Sequence, residues 1–306
     1  MDNKKILIIL LVIVFLVLLC RLAGLSNLSN LLKNTSIEHF NTSNQDKVAF
    51  LFLTRNNLKR HDIWEDFLKG NESRYSIYCH AKEPSEVKDR LLKENIIPEY
   101  IETCWACLNL VEANIILMKN ALQDQSNKKF MLVSESCLPI VSFNTFYNTI
   151  MKDDKSRIGI LDMNNTPARY NDIINPEFEQ KDFFKHTGSG CIFNRQHAQM
   201  LVDSLPKLEN WKTMMAPDEH YNGNTLMIMD KHFNDNIINQ SNTYDLWQKN
   251  KLDDTNLVDN DIKVADYILL KEISNKAIDV LRDKGFLFVR KVDENTQFDR
   301  NYLLNA

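Results

Sequence analysis

Apolar residues follow two alternating patterns along this chain. In one they form short unbroken runs; in the other they recur every three or four positions. Residues 47–54 (KVAFLFLT) are almost continuously apolar, the pattern of a strand buried on both faces. Residues 62–68 have helical spacing. Residues 73–80 alternate and carry Tyr75, Ile77 and Tyr78, which predicts a second strand. Pro84 predicts the start of a charged helix reaching Glu94. Val111, Ile115, Met118 and Leu122 share one face of a further helix. Residues 130–133, 158–161 and 190–193 predict strands, residues 196–205, 219–229 and 271–282 helices, and residues 286–290 a last strand. Strands alternating with helices predict an α/β sheet with right-handed crossovers. Ligands of such sheets bind beyond the carboxyl ends of the strands. The first candidate residues are therefore Arg55 to Asn57, His80 to Lys82, Ser134-Glu135-Ser136, Asp162 to Asn165 and Arg290-Lys291.

The N-terminus has a different character. Lys4 and Lys5 precede an unbroken apolar run from Ile6 to Cys20, which Leu22 to Leu25 extend beyond Arg21. A membrane span needs roughly 20 such residues, and an arginine near its end can snorkel. The expectation is a signal anchor over residues 6–25 with a cytoplasmic tail over 1–5; a cleaved signal peptide is the alternative. Residues 26–46 are polar and lack a period, as in a stem. Residues 47–306 form the remaining, globular domain. Asn-x-Ser/Thr triplets begin at Asn27, Asn34, Asn41, Asn71, Asn164 and Asn239. Their cluster in the stem fits a luminal location.

Composition narrows the chemistry. The 306 residues carry a net charge of -4, with no polybasic stripe, so no nucleic-acid partner is expected. With 7 Gly and 7 Pro, long low-complexity tracts are not expected. Cys104-Trp105-Ala106-Cys107 leaves a redox pair, a structural disulfide or plain thiols open. No second Cys or His pair stands at zinc spacing.

Several segments together resemble one family in order along the chain. They are Phe50-Leu51-Phe52-Leu53-Thr54-Arg55, Ile63-Trp64-Glu65-Asp66-Phe67, Tyr75-Ser76-Ile77-Tyr78-Cys79-His80, and Trp105 with Leu110-Val111-Glu112-Ala113. Residues 130–140 (FMLVSESCLPI), Arg169-Tyr170, Thr187-Gly188-Ser189-Gly190 with Arg195 and Ala198, Pro217-Asp218-Glu219-His220-Tyr221 and Phe288-Val289-Arg290-Lys291-Val292-Asp293 complete the series. It resembles the Core-2/I-branching β-1,6-N-acetylglucosaminyltransferases, glycosyltransferase family 14, nearest to the plant-type and microbial branch. The resemblance covers roughly residues 47 to 295. It implies a GT-A-like nucleotide-sugar-binding sheet flanked by helices, inverting transfer from a UDP-sugar to a glycan or glycoprotein acceptor, and no required metal or other cofactor. It also implies a single-pass type II membrane protein of the Golgi or another secretory-pathway membrane.

An inverting transfer needs one base to take the proton of the attacking hydroxyl. Glu219 matches the family's base. Acids after Pro217 also suit a helix N-terminus on ordinary grounds, and Asp218 reads as a cap, an orienting partner or an acceptor contact. The departing nucleoside diphosphate needs a metal or fixed cations. Ser134-Glu135-Ser136 offers one carboxylate between two hydroxyls, a poor magnesium or manganese site. Arg290 and Lys291 can serve instead; Lys291 matches the family's diphosphate-contacting Lys, and Arg282 is a further candidate. Ser134, Glu135 and His80 are expected on the donor side. Arg169 is expected to meet the acceptor or Glu219, and Trp247 to stack on a sugar or lie buried. Asp153-Asp154 and Asp253-Asp254 read as solvated turns. The competing functions are a degenerate transferase that holds glycans without turnover and a thiol oxidoreductase using Cys104 and Cys107.

Overall fold

The computed structural model describes residues 45–162, 167–245, 262–265 and 269–305. The predicted tail, the anchor and all but the last two residues of the stem lie outside the described residues, as do Trp247 and Asp253-Asp254. Among the described residues no helix is long and apolar enough to cross a membrane.

Strand β1 (Lys47–Thr54) is the centre of the fold. Its period-two geometry sends alternate side chains into two cores. Val48, Phe50 and Phe52 enter one, Ala49 and Leu51 the other. Helix α1 (His61–Leu68) buries Ile63, Trp64, Phe67 and Leu68. The Trp64 ring meets Phe50 and Phe52 edge-on at 5.6 and 5.0 Å, and its indole N–H donates to the Cys137 carbonyl at 3.0 Å. Strand β2 (Tyr75–Ala81) runs parallel to β1. Helix α2 (Leu108–Ala121) covers the other face with Val111, Ile115 and Met118. Strand β3 (Asn127–Ser134) is also parallel to β1. The carboxyl ends of β1, β2 and β3 therefore open on one edge.

Beyond β3 come β4 (Leu138–Pro139), helix α3 (Phe143–Met151), β5 (Ser156–Arg157), β6 (Ile160–Asp162), β7 (Lys185–His186) and β8 (Ile192–Asn194). Helices α4 (Arg195–Asp203) and α5 (Tyr221–Met229) follow, then β9 (Ile237–Ile238), β10 (Thr243–Tyr244), β11 (Ile262–Ala265), β12 (Leu269–Ile273), helix α6 (Asn275–Asp283) and β13 (Phe288–Val289). The main sheet has six strands in the order β2-β1-β3-β8-β5-β9, and a smaller one has the order β10-β13-β4. The architecture is the expected α/β class, a central sheet flanked by helices, and it fits the GT-A-like expectation.

Four element predictions change. The expected helix from Pro84 to Glu94 is two short turns, Pro84–Glu86 and Arg90–Lys93. The Asn57 side chain accepts from the Lys88 and Asp89 amides at 2.6 and 3.0 Å, so the backbone between the turns is satisfied without a helix. Residues 158–161 do not form one strand. Ile158 and Gly159 lie between β5 and β6, and only Ile160 and Leu161 belong to β6; a Cβ on Gly159 would lie 2.1 Å from Ser241 Oγ. Residues 271–282 divide as well: the start of the span pairs as β12 with β11, and Ser274 caps α6 by accepting from the Ala277 amide. Pro217–Glu219 is a 3-10 turn, and His220 at φ -135° separates it from α5.

Candidate active site

Three loops converge at the open edge of the sheet. The first follows β3. Glu135 Oε2 accepts the Arg55 amide at 3.1 Å, and the Glu135 carbonyl accepts that of Lys59 at 3.0 Å. The Ser134 hydroxyl lies 3.3 Å from both Ser136 Oγ and Cys137 Sγ. Cys137 Sγ in turn lies 3.6 Å from Ser189 Oγ.

The second loop carries the cations. β13 lies antiparallel to β4, and the Val292 amide donates to the Ser136 carbonyl at 3.0 Å. These bonds, the last joining residues 156 apart in sequence, bring Arg290 and Lys291 beside Ser134-Glu135-Ser136. Burial pushes the Lys291 ammonium down and the Arg290 charge adds to this, while Asp245, Glu135 and Cys137 oppose them. A partly desolvated ammonium gains more from a phosphate than a solvated one.

The third loop is Pro217–Glu219. Ala216 enters it at φ 53° and donates its amide to the Ala106 carbonyl at 3.0 Å. Ala106 also has positive φ, 59°, inside the loop that the Cys104–Cys107 disulfide closes. Of the readings left open for these cysteines, the structure shows the disulfide. Two non-glycine residues in the left-handed region cost free energy, and here they set the turn that presents Asp218 and Glu219.

Glu219 Oε2 is held by Arg169 Nη1 at 3.0 Å and Lys185 Nζ at 2.9 Å. Burial alone would raise this carboxyl, but the Lys185 and Arg169 bonds outweigh it and hold it below the usual range. Arg169 also donates to His220 Nε2 at 3.0 Å, while His220 Nδ1 donates to the Phe184 carbonyl at 3.0 Å. Burial pushes His220 down to about 3, so the ring is neutral and serves as an acceptor orienting Arg169. Asp218 behaves oppositely. Burial first, then the Glu219 charge, push it up to about 6, against the pull of Arg290 and Lys185.

The structure thus brings Arg169, Asp218 and Glu219 together, and Ser134, Glu135, Arg290 and Lys291 together. The Arg290 charge, acting on both Asp218 and Lys291, connects the two groups. His80 is the penultimate residue of β2, which runs one residue further than expected, and it is 1% exposed. Its Nε2 accepts the Ile101 amide at 3.2 Å, and Tyr100 stacks over its ring at 5.6 Å. Arg282 is a correction: it donates to the carbonyls of Ile140, Tyr302 and Leu303 and braces the fold. Asp153 is a second one: instead of being a free solvated acid, it pairs with Arg157 at 3.3 Å. Lys185 was missed. It is an isolated lysine between Phe184 and His186, and its only sequence signal is the two-residue spacing from Thr187, which puts both on one side of an extended segment.

The family model of the Core-2/I-Branching enzyme matches residues 48–273. The chain belongs to the Core-2/I-branching enzyme family. A curated relative, the glycosyltransferase BC10 of Oryza sativa subsp. japonica, is 27% identical over 208 residues, which covers 57% of this chain and 51% of the relative. The chain therefore spans about half the length of that protein. Among solved structures, the crystal structure of A197 from STIV gives a TM-score of 0.25 at 11% identity, over 50% of this chain and 67% of that one; a likeness of that size carries no argument.

Proposed function

We propose that this protein is an inverting glycosyltransferase that moves a sugar, N-acetylglucosamine in the first instance, from a UDP-sugar to a glycan or glycoprotein acceptor. The single observation that carries this reading is Glu219, ionised at the mouth of the site and oriented by Arg169 and Lys185. In the reaction, Glu219 takes the proton of the acceptor hydroxyl. The hydroxyl oxygen then bonds to the anomeric carbon, and the bond from that carbon to the diphosphate oxygen breaks with its electron pair leaving on UDP. Arg290 and Lys291 lie on the side where that charge develops. One oxygen of Glu135 is engaged by the Arg55 amide, which favours the two cations over a metal held by this loop. Both cations hold Oε2 of Glu219, which leaves Oε1 as the oxygen to take the acceptor's proton. The apolar run from Ile6 to Cys20 behind Lys4 and Lys5 supports a type II placement in a secretory-pathway membrane such as the Golgi.

The test uses the full chain in detergent with a panel of UDP-sugars, EDTA and glycan acceptors. UDP release that survives EDTA and falls about 10²- to 10⁴-fold in Glu219→Gln, the range of a lost general base, is expected. UDP-sugar binding without release across the acceptor panel would favour a glycan-holding protein without turnover. Activity abolished by EDTA would overturn the metal-independent reading.

A further inference from the structure

A depression apart from the transfer centre lies between the loop 173–178, the 3-10 helix Leu205–Trp211 and α5. Its floor is aromatic, made by Phe178, Trp211 and Tyr221. The Phe178 and Trp211 rings lie 22° from parallel with centroids 6.4 Å apart, and Tyr221 meets Trp211 edge-on at 5.3 Å. The walls are tied together without a ligand. The Ile174 amide donates to the Asn210 carbonyl at 2.8 Å, and Lys207 pairs with Glu177 across the rim at 2.7 Å. A stack of rings separates this place from the base. Phe183 lies 6.1 Å from Phe178 and 4.8 Å from His220, and His220 accepts from the Arg169 that holds Glu219.

Shape and charge restrict the ligand. The space measures about 390 Å³ with the open solvent at its mouth included, so it is a shallow seat and not an enclosed cavity. A ligand lies across it, one face on the rings and its edge within reach of the rim. An anion there would meet Glu177 and a cation would meet Lys207, so neither sign is favoured. The side chains of Asn175 and Asn210 also line the seat, and neither has a hydrogen-bond partner among the described residues. Each amide offers two donors and an acceptor. A wholly apolar ligand would cover these amides without pairing them. The match is a neutral ring, apolar on one face, with groups at its edge that both donate and accept. A pyranose has that character.

We propose that this seat is a second carbohydrate site, which holds one neutral sugar unit of a glycan away from the reacting atoms. The C–H face of the sugar lies on Phe178 and Trp211, and its hydroxyls meet Asn175 and Asn210. An aromatic floor with a few convergent polar groups is the general form of a small-ligand site. The choice of a glycan over other neutral hydroxylated rings rests on the transferase reading above.

The experiment is calorimetric titration of the full chain, in a detergent without a sugar headgroup, with neutral cello-, xylo- and chito-oligosaccharides and separately with UDP. Tryptophan emission is followed in parallel. At least one series is expected to bind and to change the emission. Asn210→Ala is expected to weaken that binding about 3- to 10-fold, the ratio for one lost hydrogen bond. Ile228→Arg, which lays a long side chain across the mouth at a position 36% exposed, is expected to abolish it. Unchanged thermal melts report that both variants fold. Trp211→Phe keeps an aromatic floor and is expected to keep binding while losing the emission change. Binding that is untouched in Asn210→Ala and Ile228→Arg takes place elsewhere, and the proposal fails. It fails equally if cyclohexanol binds as tightly as any oligosaccharide, since the seat is then only apolar. With the site standing, a KM for oligosaccharide acceptors that rises in Ile228→Arg at constant kcat assigns the sugar unit to the acceptor itself, and an unmoved KM assigns it to a separate glycan. If the chain binds UDP but no oligosaccharide, only this inference falls; if it binds oligosaccharides at Trp211 but not UDP, the transferase reading falls and this site remains.

Discussion

Two histidine–carboxylate clusters in this domain are built from the same residue types and end in opposite states. Around Asp230 every group is paired. His197 Nε2 donates to Asp230 Oδ2 at 3.0 Å, and its Nδ1 accepts from the Ser156 hydroxyl at 2.7 Å. The His232 amide and the Asn236 side chain complete the Asp230 carboxylate at 2.9 and 2.7 Å. His197, Ser156 and Asp230 are buried. Around Glu219, His220 and the base are paired, but His186 Nε2, Asp218 Oδ1 and Arg290 Nε are not. A Ser-His-Asp succession in sequence terms looks like chemistry. Its complete satisfaction and burial mark it as a brace that holds β5, α4 and the end of α5 together. The incomplete cluster is the one proposed above to face the substrates.

The comparison can be broken most sharply at the brace. Asp230→Ala leaves His197, His232 and Asn236 without their acceptor, and a loss of about 3 to 5 kcal/mol in stability is expected from an opened buried network. Thermal melts of native and variant chains measure it. The pH dependence has a definite sign. Burial would raise Asp230, but Asn236, His197 and the His232 amide outweigh it and hold the carboxyl at about 2. Its contribution is present above the ordinary carboxylate range and is lost as pH falls through about 2. The gap between the two melts should therefore narrow only in acid; a gap that is constant with pH would contradict the brace.

Asp218 should show the reverse. Its carboxyl, raised from 3.8 to about 6, makes the native state bind the proton more tightly than the unfolded one. Stability from this group therefore declines as pH climbs between those values. Asp218→Asn is expected to stabilise the protein by about 1 to 3 kcal/mol at neutral pH and to gain nothing near pH 4. A destabilised variant at neutral pH would show that Asp218 is already satisfied in the free chain. The smallest effect concerns Lys185→Met. Burial raises Glu219, and Lys185 is the first of the groups holding it down. Removing that ammonium should move the acid limb of the kcat/KM profile to higher pH by about one unit. An unmoved limb would mean that Lys185 does not act on the base.

The sequence alone determined the parts governed by local pattern. The continuous apolar run of β1 could only be buried on both faces, and α1 and α2 carry the spacing that covers it. Ser134-Glu135-Ser136 and Arg290-Lys291 were legible as candidates because each follows a predicted strand, whereas Pro217-Asp218-Glu219 stood out only through the family motif it resembles. The pattern failed where local preference is weak. Leu269–Ile273 suits helix or strand equally, and its pairing with Ile262–Ala265 decided it. The segment after Pro84 lost its helix to one Asn57 side chain. Tertiary structure alone decided the electrostatics of the site. Lys185 has no sequence mark, because its role exists only once β7 sets it 2.9 Å from Glu219. Likewise Asp218 and Glu219 are neighbours of the same chemical type, and their carboxyls are driven in opposite directions. The reason is physical: a charge's energy depends on what lies within a few ångströms of it and how much water remains, and a linear sequence does not contain those distances.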